Sequence, residues 1–160
     1  MTTTKNNSAE ATSDRSRVIS RVFDAPRRLV FEAWTKKEHL DQWCAPRGVT
    51  IPFSEGDFRP GGKWRCVMLT PDGQKLPLGG VYREIVVNEL LVFTHIWEED
   101  DGKPGHETLV KVRFEDEGKK TKVTLEQTNF KSIESRDGHI GGWSSALDVL
   151  AEYLLTLSEK

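Results

Sequence analysis

Few side chains in this sequence have both the type and the setting to do chemistry, and His95 is the foremost of them. It lies in the run FTHIW, where Phe93 and Trp97 fall on its own side of a predicted strand. A lone histidine among apolar residues is more often a satisfied core residue than a catalyst. Because an imidazole can donate or accept a hydrogen bond, His95 is nevertheless the best candidate in the sequence to orient a bound molecule.

Three further polar residues are candidates for the same site. Gln127 lies two residues beyond Leu125 on one face of a predicted strand, and it is a similar candidate for orienting a ligand. Tyr82 and Glu84 fall on one face in GVYREI, where a buried carboxyl beside a phenol could do acid–base work. A solvated Glu84 on an outer strand face is the interpretation that we favour.

The sequence lacks motifs for covalent, metal or cofactor chemistry. It contains no nucleophile elbow, no zinc-ligand spacing and no dinucleotide fingerprint. Its two cysteines, Cys44 and Cys66, are read as reduced thiols. We therefore predict no cofactor and no metal, and catalysis is permitted but not indicated.

One apolar strand face is the best candidate for a binding surface. In DFRPGGKWRCVML, the residues Trp64, Cys66 and Met68 alternate with a second set that includes the charged Lys63 and Arg65 as well as Val67 and Leu69, which is the period of a strand with two different faces. The charged face is the natural outer one, so the Trp-Cys-Met face is predicted to look inward. This face could pack in an ordinary core or line a cavity, and the sequence leaves both interpretations open. Gly61 and Gly62 are predicted to allow a turn or bulge just before this strand.

Hydrophobic periodicity and turn residues predict the elements that must position these side chains. RVISRVF is a strand, and Pro26 begins a helix over RRLVFEAWTKK, which a shorter helix over EHLDQWCAP follows. Short connections then join a series of strands, so neighbouring strands should be antiparallel. The predicted strand segments are VTIPFSEGDF, GGKWRCVMLT, GGVYREIVV, LLVFTHIW, ETLVKVRFED and TKVTLEQTNF.

A long helix is predicted at the end of the sequence, over GHIGGWSSALDVLAEYLLTLSEK. Trp143, Leu147 and Leu150 recur at steps of four and three residues, which places them on one apolar stripe. The pair Gly141–Gly142 lies near the predicted start of this helix, and we favour close packing on the sheet over a flexible entrance as its explanation. The predicted fold class is α+β, with helices packed on an antiparallel sheet.

Bulk composition limits the partners. The 160 residues include 23 Lys and Arg against 25 Asp and Glu, a net charge of −2, so we predict no nucleic-acid partner. No apolar run is long enough to span a bilayer and no signal peptide is found, so we expect a cytoplasmic protein without a membrane span. Residues 1–16 are polar and predict a disordered tail, which leaves one domain over residues 17–160. We expect a monomer or a weak dimer.

Several of these segments together resemble the activator of Hsp-90 ATPase homologue family, part of the START-like (SRPBCC, polyketide cyclase) superfamily. The segments are FDAPRRLVFEAW, HLDQWCAP, FRPGGKW, GGVYREI, LLVFTHIW and GGWSSALDVLAEYL, and the resemblance covers about residues 17–157. It implies a helix-grip fold, in which a curved antiparallel sheet wraps around the long C-terminal helix and encloses a cavity, with two short helices after the first strand. Relatives often carry another tryptophan at the position of Cys44, so the pocket should differ in shape there.

Members of this family bind or act on apolar small molecules, and some assist a chaperone, which leaves three functions open. We predict binding or transport of a small apolar molecule, lipid-like or aromatic, in a cavity of roughly 300 Å³ or more. One alternative is an enzyme of the polyketide cyclase or dehydratase type that uses the same cavity. Another is a chaperone-associated domain with a role in stress response, which would bind through the acidic loop EEDDGKPG with Lys111 and Arg113. The residues predicted to contact the ligand are Trp64, Cys66, Met68, Tyr82, His95, Trp97, Leu125, Gln127, Trp143, Leu147 and Leu150.

Overall fold

The computed structural model describes residues 15–99 and 101–158. Most of the predicted tail, residues 1–14, lies outside the described residues, but Ser16 is already part of the first strand. The elements in chain order are β1 (Ser16–Phe23), α1 (Arg27–Ala33), α2 (Lys37–Trp43), β2 (Thr50–Gly56), β3 (Lys63–Leu69), β4 (Lys75–Val86), β5 (Leu90–Glu98), β6 (Pro104–Glu117), β7 (Lys120–Thr128) and α3 (Ile133–Ser158).

All seven strands form one antiparallel sheet in the order β1-β7-β6-β5-β4-β3-β2. Strands β2 to β7 are therefore consecutive neighbours, because short turns such as the one at Gly118 (φ 69°) allow only the next strand to pair. The two short helices carry the chain from β1 at one edge to β2 at the other. The α+β class and the antiparallel pairing are confirmed.

Two glycines before β3 are needed for backbone geometry, as predicted. Gly61 has φ 86°, a conformation that side chains disfavour. A Cβ atom on Gly62 would lie 1.9 Å from the carbonyl oxygen of Asp57. The backbone here pairs with Tyr82, since the N–H of Gly61 donates to its carbonyl at 2.7 Å and the carbonyl of Gly62 accepts from its N–H at 2.9 Å.

A register shift in β4 overturns one prediction. Tyr82 pairs with Phe93 and Glu84 pairs with Val92, so two steps along β4 match one step along β5. Such a bulge breaks the alternation of faces. Tyr82 is therefore buried while Glu84 is exposed, and the shared face predicted for them is wrong. The favoured interpretation, a solvated Glu84, is confirmed.

The long helix α3 begins five residues before the predicted start, at Ile133 rather than Gly138. The predicted apolar stripe is confirmed, because Leu147, Leu150 and Leu154 are all buried in one cluster with residues of β6 and β7. The glycine pair lies inside the helix, not at its start. Among the described residues, no helix combines the length and the apolarity needed to cross a membrane.

Close packing does not explain the glycines of α3, contrary to our prediction. A Cβ atom on Gly138 or Gly141 would meet no atom within 4 Å. On Gly142 it would meet only the Cγ atom of Pro46, at an ordinary contact distance of 3.7 Å. Gly138 and Gly141 are exposed, so packing on the sheet does not require a glycine at either position.

Candidate functional site

A cavity of about 210 Å³ lies between the first half of α3, the segment 34–46 and strands β2 to β5. It is smaller than the void of roughly 300 Å³ expected from the sequence. It is larger than an engineered cavity of about 150 Å³ that holds one benzene molecule. The space therefore suits a compact molecule of one or two rings.

The cavity divides the molecule into two parts. We call β2 to β5 with residues 133–146 of α3 the cavity half, because they supply the cavity wall together with segment 34–46 and Phe58. We call β1, β6 and β7 with residues 147–158 the packed half, because no described residue of these segments lines the cavity and their inward side chains form the buried core.

Six of the predicted site residues lie in the wall. Trp64, Cys66 and Met68 border the space from β3, so the inward strand face meets a cavity. The other three come from β4, β5 and α3, and they are Tyr82, His95 and Trp143. Their contact with a ligand stays a prediction.

The other five predicted residues do not line the cavity. Leu125, Leu147 and Leu150 are fully buried in the packed half, where the same helix stripe continues past the end of the cavity. Trp97 lies beside the wall, and its indole N–H donates to the Nε2 atom of His139 at 2.9 Å. Gln127 is completely buried behind the wall.

Gln127 holds the wall in place instead of facing the cavity. Its Oε1 atom accepts from the indole N–H of Trp143 at 2.9 Å, and its Nε2 atom donates to the Oγ1 atom of Thr108 at 2.8 Å. The Thr108 hydroxyl in turn donates to the backbone carbonyl of His95 at 3.0 Å. All polar atoms of the Gln127 side chain are thus engaged by groups that position Trp143 and His95.

His139 is a wall residue that the sequence analysis did not single out. Its Nδ1 atom lies 2.7 Å from the carbonyl of Ser135, and its Nε2 atom accepts from Trp97. These partners require a neutral ring with the proton on Nδ1. Burial also lowers its pKa. The spacing of four residues between Ser135 and His139 could have indicated this contact. It does so only if the helix is known to include both residues, and the predicted helix began after Ser135.

The segment 34–46 supplies the other unpredicted part of the wall. Asp41 of α2 accepts from the Nζ atom of Lys37 at 2.6 Å and from the hydroxyl of Ser54 at 2.5 Å, which ties α2 to β2. Cys44 follows one turn later and lines the same cavity as Cys66. The resemblance in HLDQWCAP was the one sequence signal for this region.

Both thiols of the wall are free and kept protonated. Burial raises the pKa of Cys66 to about 12 and raises that of Cys44 further. Since the thiolate is the reactive form, these cysteines contribute an apolar surface rather than a nucleophile.

The two predicted acid–base groups are neutral as well. Burial lowers the pKa of His95 to about 3, with a smaller contribution from nearby His139. Burial also raises the pKa of Tyr82 to about 12. At neutral pH the His95 imidazole is therefore unprotonated and the Tyr82 phenol keeps its proton.

Aromatic rings surround much of the space. Trp34 stacks on Trp143 with ring centroids 5.8 Å apart and an interplanar angle of 24°. Trp64 meets Phe93 edge to face at 5.9 Å, and its ring lies 6.0 Å from that of His95. Such rings offer both flat faces and edges to a planar guest.

Comparisons with known proteins agree with this architecture. The family model described as "Activator of Hsp90 ATPase homolog 1-like protein" matches residues 24–155. Among curated proteins, none shows significant similarity to this sequence.

Solved structures support the match to this family. The crystal structure of the AHSA1 protein from Silicibacter pomeroyi is 26% identical, with a TM-score of 0.81 over 88% of this chain and 98% of that chain. A protein from Rhizobium leguminosarum is 28% identical, with a TM-score of 0.74 over 88% and 94%. A protein from Nitrosomonas europaea, 22% identical, has the same fold with a TM-score of 0.79 over 92% and 99%. The chain belongs to the family of activator of Hsp90 ATPase homolog 1-like proteins, and it has the START-like helix-grip fold.

Proposed function

We propose that this protein binds a small apolar molecule in the cavity between its sheet and its C-terminal helix. The observation that carries the proposal is the space of about 210 Å³, which is bordered by aromatic and sulfur-containing side chains. An apolar, concave and preformed space is the usual form of a small-molecule site. The family to which the chain belongs commonly binds hydrophobic ligands.

The size of the cavity favours an aromatic ligand over a long-chain lipid. Pockets for drug-sized molecules usually have volumes of about 300–1,000 Å³, whereas about 150 Å³ is enough for benzene. A guest of one or two fused rings fits between these limits. The stacked and edge-on rings of Trp34, Trp64 and Trp143 suit a planar guest of this kind.

A ligand screen by chemical-shift perturbation tests the proposal. Two-ring aromatics, flavonoids and aromatic polyketides should shift resonances of the cavity half, and long-chain fatty acids should do so less. Shifts confined to loops, or no shifts, would count against binding in the cavity.

Two neighbouring glycines provide a matched pair of variants. Gly142 lines the cavity, so Gly142→Leu should fill part of it and weaken binding by about tenfold or more. Gly141 faces open space outside the wall, so Gly141→Leu should leave the affinity within about twofold. Both changes improve helix propensity equally, so a difference between them reports on the cavity.

The enzyme alternative has less support. A general base works best when its pKa is near the working pH. The pKa of His95 is instead lowered to about 3 and that of Tyr82 raised to about 12 by burial. Glu84, the third group considered, is exposed on the other face of β4.

The chaperone alternative also has less support, because its two charged parts are far apart. Strand β6 begins at Pro104, inside the predicted acidic loop of residues 98–105, and Lys111 lies seven residues further along that strand. At about 3.3 Å per residue, this separates them by about 23 Å. A chaperone partner, a stress-related role, a cytoplasmic location and a monomeric or weakly dimeric state all remain predictions.

A further inference from the structure

The five tryptophans differ in what their indole N–H groups contact. Trp43 donates to the carbonyl of Ala33 at 2.8 Å. Trp97 and Trp143 donate to side chains, as described above. The N–H groups of Trp34 and Trp64 are buried and have no hydrogen-bond partner among the described residues.

Trp34 and Trp64, whose indole N–H groups have no partner among the described residues, both belong to the cavity wall. Within the described part of the chain, the only other buried and unpartnered side-chain atom is Nδ1 of His95. Trp34 and His95 are more than nine-tenths buried. All three residues line the same cavity. Buried polar atoms are rarely left without a partner, so their coincidence at one cavity points to a group that the protein itself does not supply.

The three residues are linked through a series of neighbouring rings. The Trp64 and His95 ring centroids are 6.0 Å apart, and those of His95 and Trp143 are 6.3 Å apart. Trp143 in turn stacks on Trp34 at 5.8 Å. The unpartnered atoms thus belong to a continuous ring cluster, with the fixed indole of Trp143 between them.

The chemistry of these atoms indicates the missing group. An indole nitrogen can only donate, whereas Nδ1 of a neutral imidazole donates in one tautomer and accepts in the other. The partner of the two indoles must therefore accept hydrogen bonds, as the oxygen of a carbonyl or a lactone does.

The charges at the wall indicate an uncharged acceptor. Its two basic side chains are already paired, Lys37 with Asp41 at 2.6 Å and Arg65 with Glu98 at 2.7 Å. A carboxylate in the cavity would lack a positive partner, and burying such a charge is costly.

We propose that the ligand is an uncharged planar molecule with carbonyl-type oxygen atoms that accept hydrogen bonds from the indole N–H groups of Trp34 and Trp64, in a site that His95 also lines. This inference rests on the proposed function, since it specifies the guest of the same cavity. It explains why two of the five indoles lack a partner when the others have one.

Three probes of similar size test the proposal: naphthalene, which has no acceptor, coumarin, which carries a neutral lactone, and 2-naphthoate, which is an anion. Binding is followed by the indole ¹H–¹⁵N cross-peaks of the full-length protein. Coumarin should bind at least about threefold more tightly than naphthalene, as one or more added hydrogen bonds predict. It should also move the Trp34 and Trp64 cross-peaks, while that of Trp43 stays in place.

The variant Trp64→Phe keeps an aromatic ring and removes the donor. Its affinity for coumarin should fall by about three- to tenfold, while its affinity for naphthalene changes by less than about twofold. Trp34→Phe should behave in the same way, so the test does not depend on one variant being well folded. An equal loss for both probes would mean that the indoles act only as apolar surface, and this would overturn the inference.

The probes also separate this inference from the proposed function. Equal binding of naphthalene and coumarin to the unmodified protein would leave the cavity function standing and overturn the acceptor. Tightest binding of 2-naphthoate would overturn the uncharged ligand. No binding of any probe would overturn the proposed function and the inference together.

Discussion

One helix serves two different regions of this molecule. In the packed half, Leu147, Leu150 and Leu154 of α3 are buried against the sheet. In the cavity half, the same helix carries Gly138, Gly141 and Gly142 among its first ten residues, and a space remains beside it. The sheet continues through both halves, and Gly142, the one of these three glycines that lines the cavity, contributes no side chain to fill it.

The two halves also differ in how their polar groups are satisfied. In the packed half, each polar atom of the Gln127 side chain and the hydroxyl of Thr108 has a partner in one buried network. At the cavity, the side chains of Trp64 and His95 in the cavity half and of Trp34 in segment 34–46 carry buried atoms without partners among the described residues. Proteins break local rules of packing and polar satisfaction mainly where function requires it, and this contrast supports our proposal that the cavity is the binding site.

The largest expected difference between the halves is in stability after truncation. Leu150→Ala should lower the free energy of unfolding by about 2–5 kcal/mol, because it opens a void in a close-packed region. Met68→Ala should cost less than about 1.5 kcal/mol, because this side chain is partly exposed and already borders a space. Urea denaturation of both variants measures the contrast. Equal losses would mean that the wall is as tightly packed as the core.

The polar network behind the wall predicts the next effect in size. Gln127→Met keeps the volume but removes the partners of Trp143 and Thr108, so it should cost about 1–3 kcal/mol in urea denaturation. The Trp143 indole cross-peak should also move. As a control, Gln74→Met at an exposed turn should change stability by less than about 0.5 kcal/mol. An unchanged Trp143 resonance in the Gln127 variant would show that the network does not position the wall.

A smaller effect follows from the neutral His95. Its pKa is lowered to about 3 in the folded state and is about 6.5 when unfolded, so the unfolded chain binds more protons between these values. Stability is therefore complete above pH 6.5 and falls as the pH drops, by about 1.4 kcal/mol from this residue at pH 5.5. His139, whose pKa is also lowered, adds a loss of the same sign.

Denaturation at pH 8 and pH 5.5 measures this loss, and His95→Phe should reduce it. The ring resonances of His95 should not titrate above about pH 4. A variant with an unchanged pH dependence, or a titration of the His95 ring near pH 6.5, would contradict the neutral buried ring.

The sequence predicted what is encoded locally. Alternation in β3 predicted that Trp64, Cys66 and Met68 look inward, and helical spacing predicted the leucine stripe of α3, since each pattern depends only on neighbours along the chain. Face alternation failed at Glu84, because the bulge before it depends on how β4 pairs with β5.

The limits of the cavity were harder to predict than its strand face. Leu147 and Leu150 belong to the same stripe as Trp143, and spacing alone does not show where along the helix packing replaces open space. The orientation of the Gln127 side chain could not be predicted for a related reason. Its partners Trp143 and Thr108 are 16 and 19 residues away in sequence.

The smallest predicted effect decides between two explanations for the glycines of α3. If Gly141 is merely beside open space, Gly141→Ala should raise the free energy of unfolding by about 0.5–1 kcal/mol, because alanine favours the helix and its Cβ meets nothing. For a chain of this size the melting temperature should rise by about 1–4 °C. The two-ring probes should bind with unchanged affinity and an unchanged association rate.

If the glycines instead make a flexible entrance, the stiffer helix should slow the association of coumarin measured by stopped-flow fluorescence while the equilibrium affinity changes little. Slower association would thus add a mobile entrance to the cavity half, and an unchanged rate would show that the exposed Gly141 does not act as an entrance.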